Sequence, residues 1–257
     1  LSIRRGYGIF DYFRVRHGVP MYLDRHLERF MNGAKASRMN HGFSKKELKD
    51  QIRSLIHSQT EQFDESAVRI VLTGGPSPWE PIAPMMIMTY EPLRNYEDSI
   101  YIQGASVITH PFMRELPGLK TISYMTAVFL SPKIKEKQAM EVLYHSQGSV
   151  YEFSRSNVFV FREGSLFTPG EGVLNGITRG LVLEIARNQV PVLEVPLSLE
   201  SVLSSDEVFM TSTIKRIIPV VKIDDTIIGN GEPGGLTRSL MEALSRRDRE
   251  EILDNQI

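Results

Sequence analysis

Short strand-like runs and amphipathic helical stretches take turns along the chain, each ended by glycine, proline or a polar cluster. That alternation predicts a mixed α/β (α+β) fold. "IFDYFRVRHGVPMYL" alternates bulky residues on both sides of His17-Gly18 and reads as a hairpin. From Asp24, residues Leu27, Phe30, Met31 and Ala34 fall on one helix face. "SKKE" is a capping box of Ser44 and Glu47, followed by the apolar stripe Leu48, Ile52, Leu55 and Ile56. Two further strands, "AVRIVLTG" and "PMMIMTYE", flank the turn-rich "GGPSPWEPIAP".

Around "PLRNYEDS" the periodicity lapses, which predicts a smaller N-terminal α/β domain over residues 1–95 and a larger C-terminal one over 96–257. In the second, "IYIQGASVITH" reads as a strand and residues 123–137 as a helix. Strands "MEVLYHS" and "NVFVFREG" follow, then a helix entered at Gly176 with Ile177, Leu181 and Ile185 buried. "VPVLEVPL" and "EVFMTST" read as strands on either side of a short helix near 198–204, and "IIPVVKIDDTIIG" as a hairpin before a closing helix from Leu236.

The 30 basic and 31 acidic residues nearly cancel, so no long-range field gathers nucleic acid or an anionic membrane. Any anion site must be local. With no cysteine there is no disulfide, thiolate metal site or cysteine nucleophile, and no apolar stretch reaches the roughly 20 residues of a membrane span. These features point to a cytoplasmic protein acting on small ligands. The chain opens on strand-like sequence without a start methionine, and an N-terminal segment is expected to precede it.

Several segments carry residues suited to chemistry. "PGLKTISY" puts Lys120 directly after a Pro-Gly turn, either as a solvated charge or as a functional amine. "NGITRG" sets Gly176, Ile177 and Thr178 at a helix entry, where free N–H groups and the dipole favour an anion. "TST" brings the hydroxyls of Ser212 and Thr213 to a strand end. Arg29, on the flank of the helix beginning at Asp24, is either a surface arginine or a forked phosphate donor. In "EFSRSNVFVF", Glu152 and Asn157 bracket a turn-prone stretch, and a buried carboxylate there fits a protonated ring nitrogen as its partner.

In order and spacing, "RGYGIFDYFRV", "HLERF", "GLKTISY", "YEFSRSNVFVF", "GITRG" and "EVFMTST" resemble the class IV aminotransferases, the fold-type IV pyridoxal-phosphate enzymes. That family includes branched-chain and D-amino-acid aminotransferases and aminodeoxychorismate lyases. The resemblance implies that Lys120 forms a Schiff base with pyridoxal 5'-phosphate and that Glu152 faces its pyridine nitrogen. It further implies that Arg29, Gly176, Ile177, Thr178, Ser212 and Thr213 hold the phosphate, with Asn157 and Tyr124 also at the cofactor. Such a lysine must be partly neutral near pH 7, whereas a free one has a pKa of about 10.4; burial and conjugation to the cofactor supply the shift. No metal is implied.

The implied reaction moves an amino group between an amino acid and a 2-oxo acid, with a branched-chain-like substrate the first expectation. Aminodeoxychorismate-type elimination and D-amino-acid transamination are the alternatives. Period-two alternation puts Phe10, Tyr12 and Arg14 on the face that the family turns toward substrate. Arg69 is a charge inside an apolar strand, suited either to a substrate carboxylate or to a cross-strand ion pair. The loop "GGPSPWEP" has Trp79 and lacks the arginine and histidine with which D-amino-acid enzymes grip the α-carboxylate. A homodimer is also implied.

Overall fold

The computed structural model describes the chain except residues 60–62, 64, 77–83, 94–95 and 256–257, so Trp79 lies outside the described residues. It divides into two compact units: Leu1–Arg94 with Leu119–Ser123 and Asp248–Ile257, and Asn95–Gly118 with Tyr124–Arg247. A boundary at one point in the chain cannot represent the two short returns to the first unit.

The first unit starts with helix α1 (Ser2–Arg5), a turn of helix where the sequence reads as strand, closed by left-handed Gly6. Strands β1 (Gly8–Arg16) and β2 (Val19–Pro20) form the expected hairpin, with positive φ at both His17 and Gly18. Helices α2 (Leu23–Ala36) and α3 (Lys45–His57) follow, and the Ser44–Glu47 capping box is present in both directions. Strands β3 (Glu65–Thr73) and β4 (Met86–Pro92) complete an antiparallel sheet ordered β2-β1-β3-β4. One face of β1 and β3, with Ile9, Phe13, Val15, Val68, Ile70 and Leu72, buries the apolar stripes of both helices. Because β2 covers only Val15 and Arg16, the other end of that β1 edge is open to pairing. Residues 119–123 take it: the Phe10 N–H donates to the Lys120 carbonyl at 2.9 Å, and the Ile122 N–H to Gly8 at 3.1 Å. The chain end is tied on by Ile252 packing with Val19 and Met21, and by the Tyr22 hydroxyl donating to Asp248 at 2.7 Å.

In the second unit, Asp98–Gln103 forms helix α4, which takes in the first four residues of the run from Ile100 that the sequence reads as strand. Gly104 at φ 82° ends it, and only then does β5 (Ala105–Pro111) begin. The helix expected over 123–137 is two, α5 (Met125–Phe129) and α6 (Ser131–Glu136). Pro132 explains the break, since it lacks an N–H and its ring crowds the preceding turn. Strands β6 (Val142–Ser146), β7 (Ser149–Phe153), β8 (Asn157–Arg162) and β9 (Ser165–Thr168) lead to helix α7 (Ile177–Ala186). "VPVLEVPL" is split before Leu197 into β10 (Val192–Glu194) and β11 (Leu197–Ser198), with Pro196, which has no N–H for a ladder, between them. Helix α8 (Leu199–Leu203), strands β12 (Glu207–Ser212), β13 (Arg216–Ile223) and β14 (Thr226–Ile227), and helix α9 (Gly235–Asn255) follow.

The path β8-β12-β13-β5-β6-β7 returns on itself through a β7–β8 pairing at Glu152↔Asn157, closing these strands into a barrel. Its interior is apolar, with Val107, Leu143, Phe153, Val158, Met210 and Ile218 in one buried cluster. Among the described residues no helix is long and apolar enough to cross a membrane.

Candidate active site

Residues with chemical potential gather separately in each unit. In the first, Lys120 lies beside β1, and its Nζ is 4.4 Å from the Phe10 ring centroid. Phe10 and Tyr12 share the sheet face that the helices leave uncovered, and β3 sets Arg69 opposite Tyr12. The Arg69 guanidinium lies 4.6 Å from the Tyr12 ring centroid and forks onto Glu91, at 2.8 and 3.1 Å. Of the two roles open to Arg69, the cross-strand ion pair is therefore formed. The Arg69 hydrogen bond lowers the Glu91 carboxyl below its usual range. Arg14, on the same face as Tyr12, donates to Glu65 at 2.6 Å.

On the helix-covered face Asp11 is buried among apolar neighbours. Arg29 reaches it from α2 with Nε at 2.9 Å and Nη2 at 2.8 Å, and His26 Nδ1 lies 2.7 Å away. Burial pushes the Asp11 carboxyl up, but Arg29 and His26 outweigh it and hold it well below the carboxylate range. Burial also lowers His26, and the charges of Arg29 and Lys120 add to that against the pull of Asp11. Arg29 is thus oriented by a carboxylate the sequence reading did not single out. The signal was present: Asp11 is an acid on a β1 face otherwise occupied by Ile9, Phe13 and Val15.

In the second unit one end of the barrel collects the remaining candidates. The pairings Glu152↔Asn157 and Asn157↔Thr211 place three strands side by side there. Glu152 is almost fully buried; it accepts from Arg114 Nε at 2.6 Å and from the Leu174 N–H at 3.1 Å. Asn157 Nδ2 donates to the Leu174 carbonyl at 2.8 Å. A Cβ on Gly176 would stand 2.2 Å from Asn157 Oδ1, so only glycine lets α7 start this close to β8. Gly176 offers no side-chain cap to the first N–H groups of α7, where Ile177 and Thr178 lie. Ser212 Oγ accepts from the Lys215 N–H at 3.2 Å, and Thr213 is the next residue. The buried Thr211 Oγ1 finds no partner among the described residues. Burial raises the Tyr124 phenol, with Glu152 and Glu141 adding to that and Arg114 opposing it.

This donor set fits a phosphorylated heteroaromatic ligand: an uncapped helix entry and hydroxyls for the phosphate, and a buried carboxylate for a protonated ring nitrogen. Sequence reasoning missed Arg114, Glu141 and Lys215. Arg114 sits beside Glu115 ahead of the Pro-Gly turn, Lys215 beside Arg216, and Glu141 is a single charge at the start of an apolar strand, patterns that also describe many solvated residues.

The sequence matches the family model described as Amino-transferase class IV over residues 8–223. It is 31% identical over 253 residues to a D-alanine aminotransferase from Bacillus licheniformis, covering 93% of this chain and 88% of that protein. Among solved structures, the branched-chain amino acid aminotransferase of Escherichia coli superposes with a TM-score of 0.87 at 24% identity, over 96% of this chain and 87% of the other, a likeness of fold. The T.th. branched-chain amino acid aminotransferase with pyridoxamine 5'-phosphate has a TM-score of 0.86 at 26% identity, over 98% of this chain and 89% of that one.

Proposed function

This chain belongs to the class IV amino-transferase family and is a pyridoxal-phosphate-dependent aminotransferase, and from that premise we propose the role of each residue below. The observation that carries the assignment is the buried Glu152 beside the uncapped entry of α7, a ring-nitrogen partner next to a phosphate seat.

Pyridoxal phosphate, when bound, supplies an aldehyde that condenses with amines and a ring that accepts the electron pair left at Cα. In the first unit the Lys120 amine would hold that aldehyde, and as a free base it would be the group that carries the substrate's Cα proton. Arg29, oriented by Asp11, donates to the phosphate. Arg69 meets the substrate carboxylate by exchanging Glu91 for it, while Phe10, Tyr12 and Arg14 shape the surface beside it. In the second unit Glu152, steadied by Arg114, holds a proton on the ring nitrogen. Gly176, Ile177, Thr178, Ser212 and Thr213 seat the phosphate, Asn157 supports Glu152, and Tyr124 meets the ring hydroxyl.

The relative named for D-alanine makes a small apolar D-amino acid the first donor to test. The sequence over residues 74–81 carries neither arginine nor histidine, and Arg69 on the Phe10–Tyr12 face offers the guanidinium that such a substrate needs. The aromatic pair Phe10 and Tyr12 favours a second reading, a branched-chain side chain. The purified holoenzyme should show a visible band lost on borohydride reduction, with the label on Lys120. A panel of L- and D-amino acids, each with and without a 2-oxo acid acceptor, then ranks the donors. Pyruvate released without an acceptor would instead assign a lyase. Arg69→Gln should raise KM for the amino acid more than it lowers kcat; an unchanged KM removes Arg69 from substrate binding.

The active form is a homodimer. Met125, Val128 and Phe129 stand at i, i+3 and i+4 on α5 and are 80%, 67% and 79% exposed, an apolar face suited to a second copy. Sedimentation should give twice the chain mass, and Val128→Lys with Phe129→Glu should halve it; a double variant that still sediments as a dimer places the interface elsewhere.

A further inference from the structure

Glu141 and Lys215 form a buried ion pair that none of the roles above employs, the one fully buried and the other 2% exposed. The two residues tie three segments of the second unit. Glu141 precedes β6, and its carboxylate accepts from Ser154 Oγ at 2.8 Å, the Arg155 N–H at 2.6 Å and Ser156 Oγ at 3.0 Å, all in the β7–β8 turn. Lys215 lies just beyond Ser212 after β12; its Nζ donates to Glu141 and, at 3.0 Å, to Ser156 Oγ. The turn is further closed by the Phe153 N–H donating to the Ser156 carbonyl at 2.8 Å. On either side of this turn stand Glu152 and Asn157, the pair through which β7 meets β8.

We infer that the Glu141–Lys215 pair is a positioning device: it clamps the 154–156 turn against the end of β12, and so sets where Glu152 presents its carboxylate. The inference rests on the role proposed above for Glu152. Its physical ground is that buried ion pairs rarely add net stability over apolar residues of the same volume, while every hydrogen bond they make fixes a geometry. Here four donors from two turns converge on one carboxylate, which leaves the turn little freedom to shift. Burial pushes the Glu141 carboxyl up, but Lys215, Arg155 and Ser154 reverse that and keep it ionised.

The experiment compares affinities of the stripped protein for pyridoxal phosphate and for an analogue in which carbon replaces the ring nitrogen. Wild type should prefer the natural cofactor. In Glu141→Gln/Lys215→Met that preference should fall by about tenfold, the scale seen when an outer partner of a ligating group is lost. Its melting temperature should stay near wild type, since both buried charges are removed together. Ser156→Ala, which deletes one contact to each partner and keeps the charges, should lower the preference by a smaller factor and serves if the double variant does not fold. A preference unchanged in the folded variants overturns the inference. If wild type itself binds both compounds equally, the role of Glu152 fails first, and the positioning role falls with it.

Discussion

Lys120→Met should lose at least about four orders of magnitude in turnover while the protein stays folded, because in the role proposed for it one amine is both the attachment point and the proton carrier. Methionine keeps the length of the stem as far as Cε, with sulfur in place of the δ methylene, and removes the nitrogen. The segment around Lys120 is held by its backbone, through the Phe10 N–H to its carbonyl and the Ile122 N–H to Gly8, and neither bond involves the side chain. The amine contributes its contact with the Phe10 ring, worth about 0.5–1 kcal/mol at a partly exposed site. Single-turnover assays with the preferred donor, paired with far-UV circular dichroism melts, separate the two effects. Turnover within tenfold of wild type would transfer the chemistry to another amine. Added cofactor should still bind the variant noncovalently through the phosphate and ring contacts, without the covalent label.

The second large effect concerns stability. Lys215→Met should destabilise the protein by about 3–5 kcal/mol, the range for removing one partner of a buried pair and leaving the other charge without compensation. Glu141 then keeps the Ser154, Arg155 and Ser156 donors and loses its counter-charge. Denaturant melts should show the loss at pH 7 and a smaller one at acid pH, because protonating Glu141 relieves the isolated charge. The sign follows from Glu141 itself. In the wild type its carboxyl lies below the usual range, so the pair contributes stability above the unfolded pKa and loses it as pH falls through the folded one. Adding Glu141→Gln should restore most of the loss. A double variant as unstable as the single one would mean that Lys215 acts through its packing.

Much of the fold was legible. His17-Gly18 announced the first hairpin, Ser44 and Glu47 the start of α3, and the alternation in β1 separated Phe10 and Tyr12 from Asp11 and Phe13. Each is a local rule: φ above zero, a cap, a period of two. Local reading failed where local signals compete. Asp98–Gln103 is rich in residues that suit a strand, yet it turns helical before Gly104, and Pro132 cuts a run whose apolar spacing continues across it.

For the site, the order of the six motifs carried the family, and with it the expected lysine, carboxylate and phosphate seat. Sequence by itself determined those residue types and their places on strand ends and helix entries, because period, capping and turn chemistry act within a few positions. Only the tertiary structure decided which charge answers which: Arg29 with Asp11, Arg69 with Glu91, Arg114 with Glu152, Lys215 with Glu141. These partners lie far apart in the chain, and their meeting depends on strand register and barrel closure. A burial cost that only a counter-charge can offset then selects the pair.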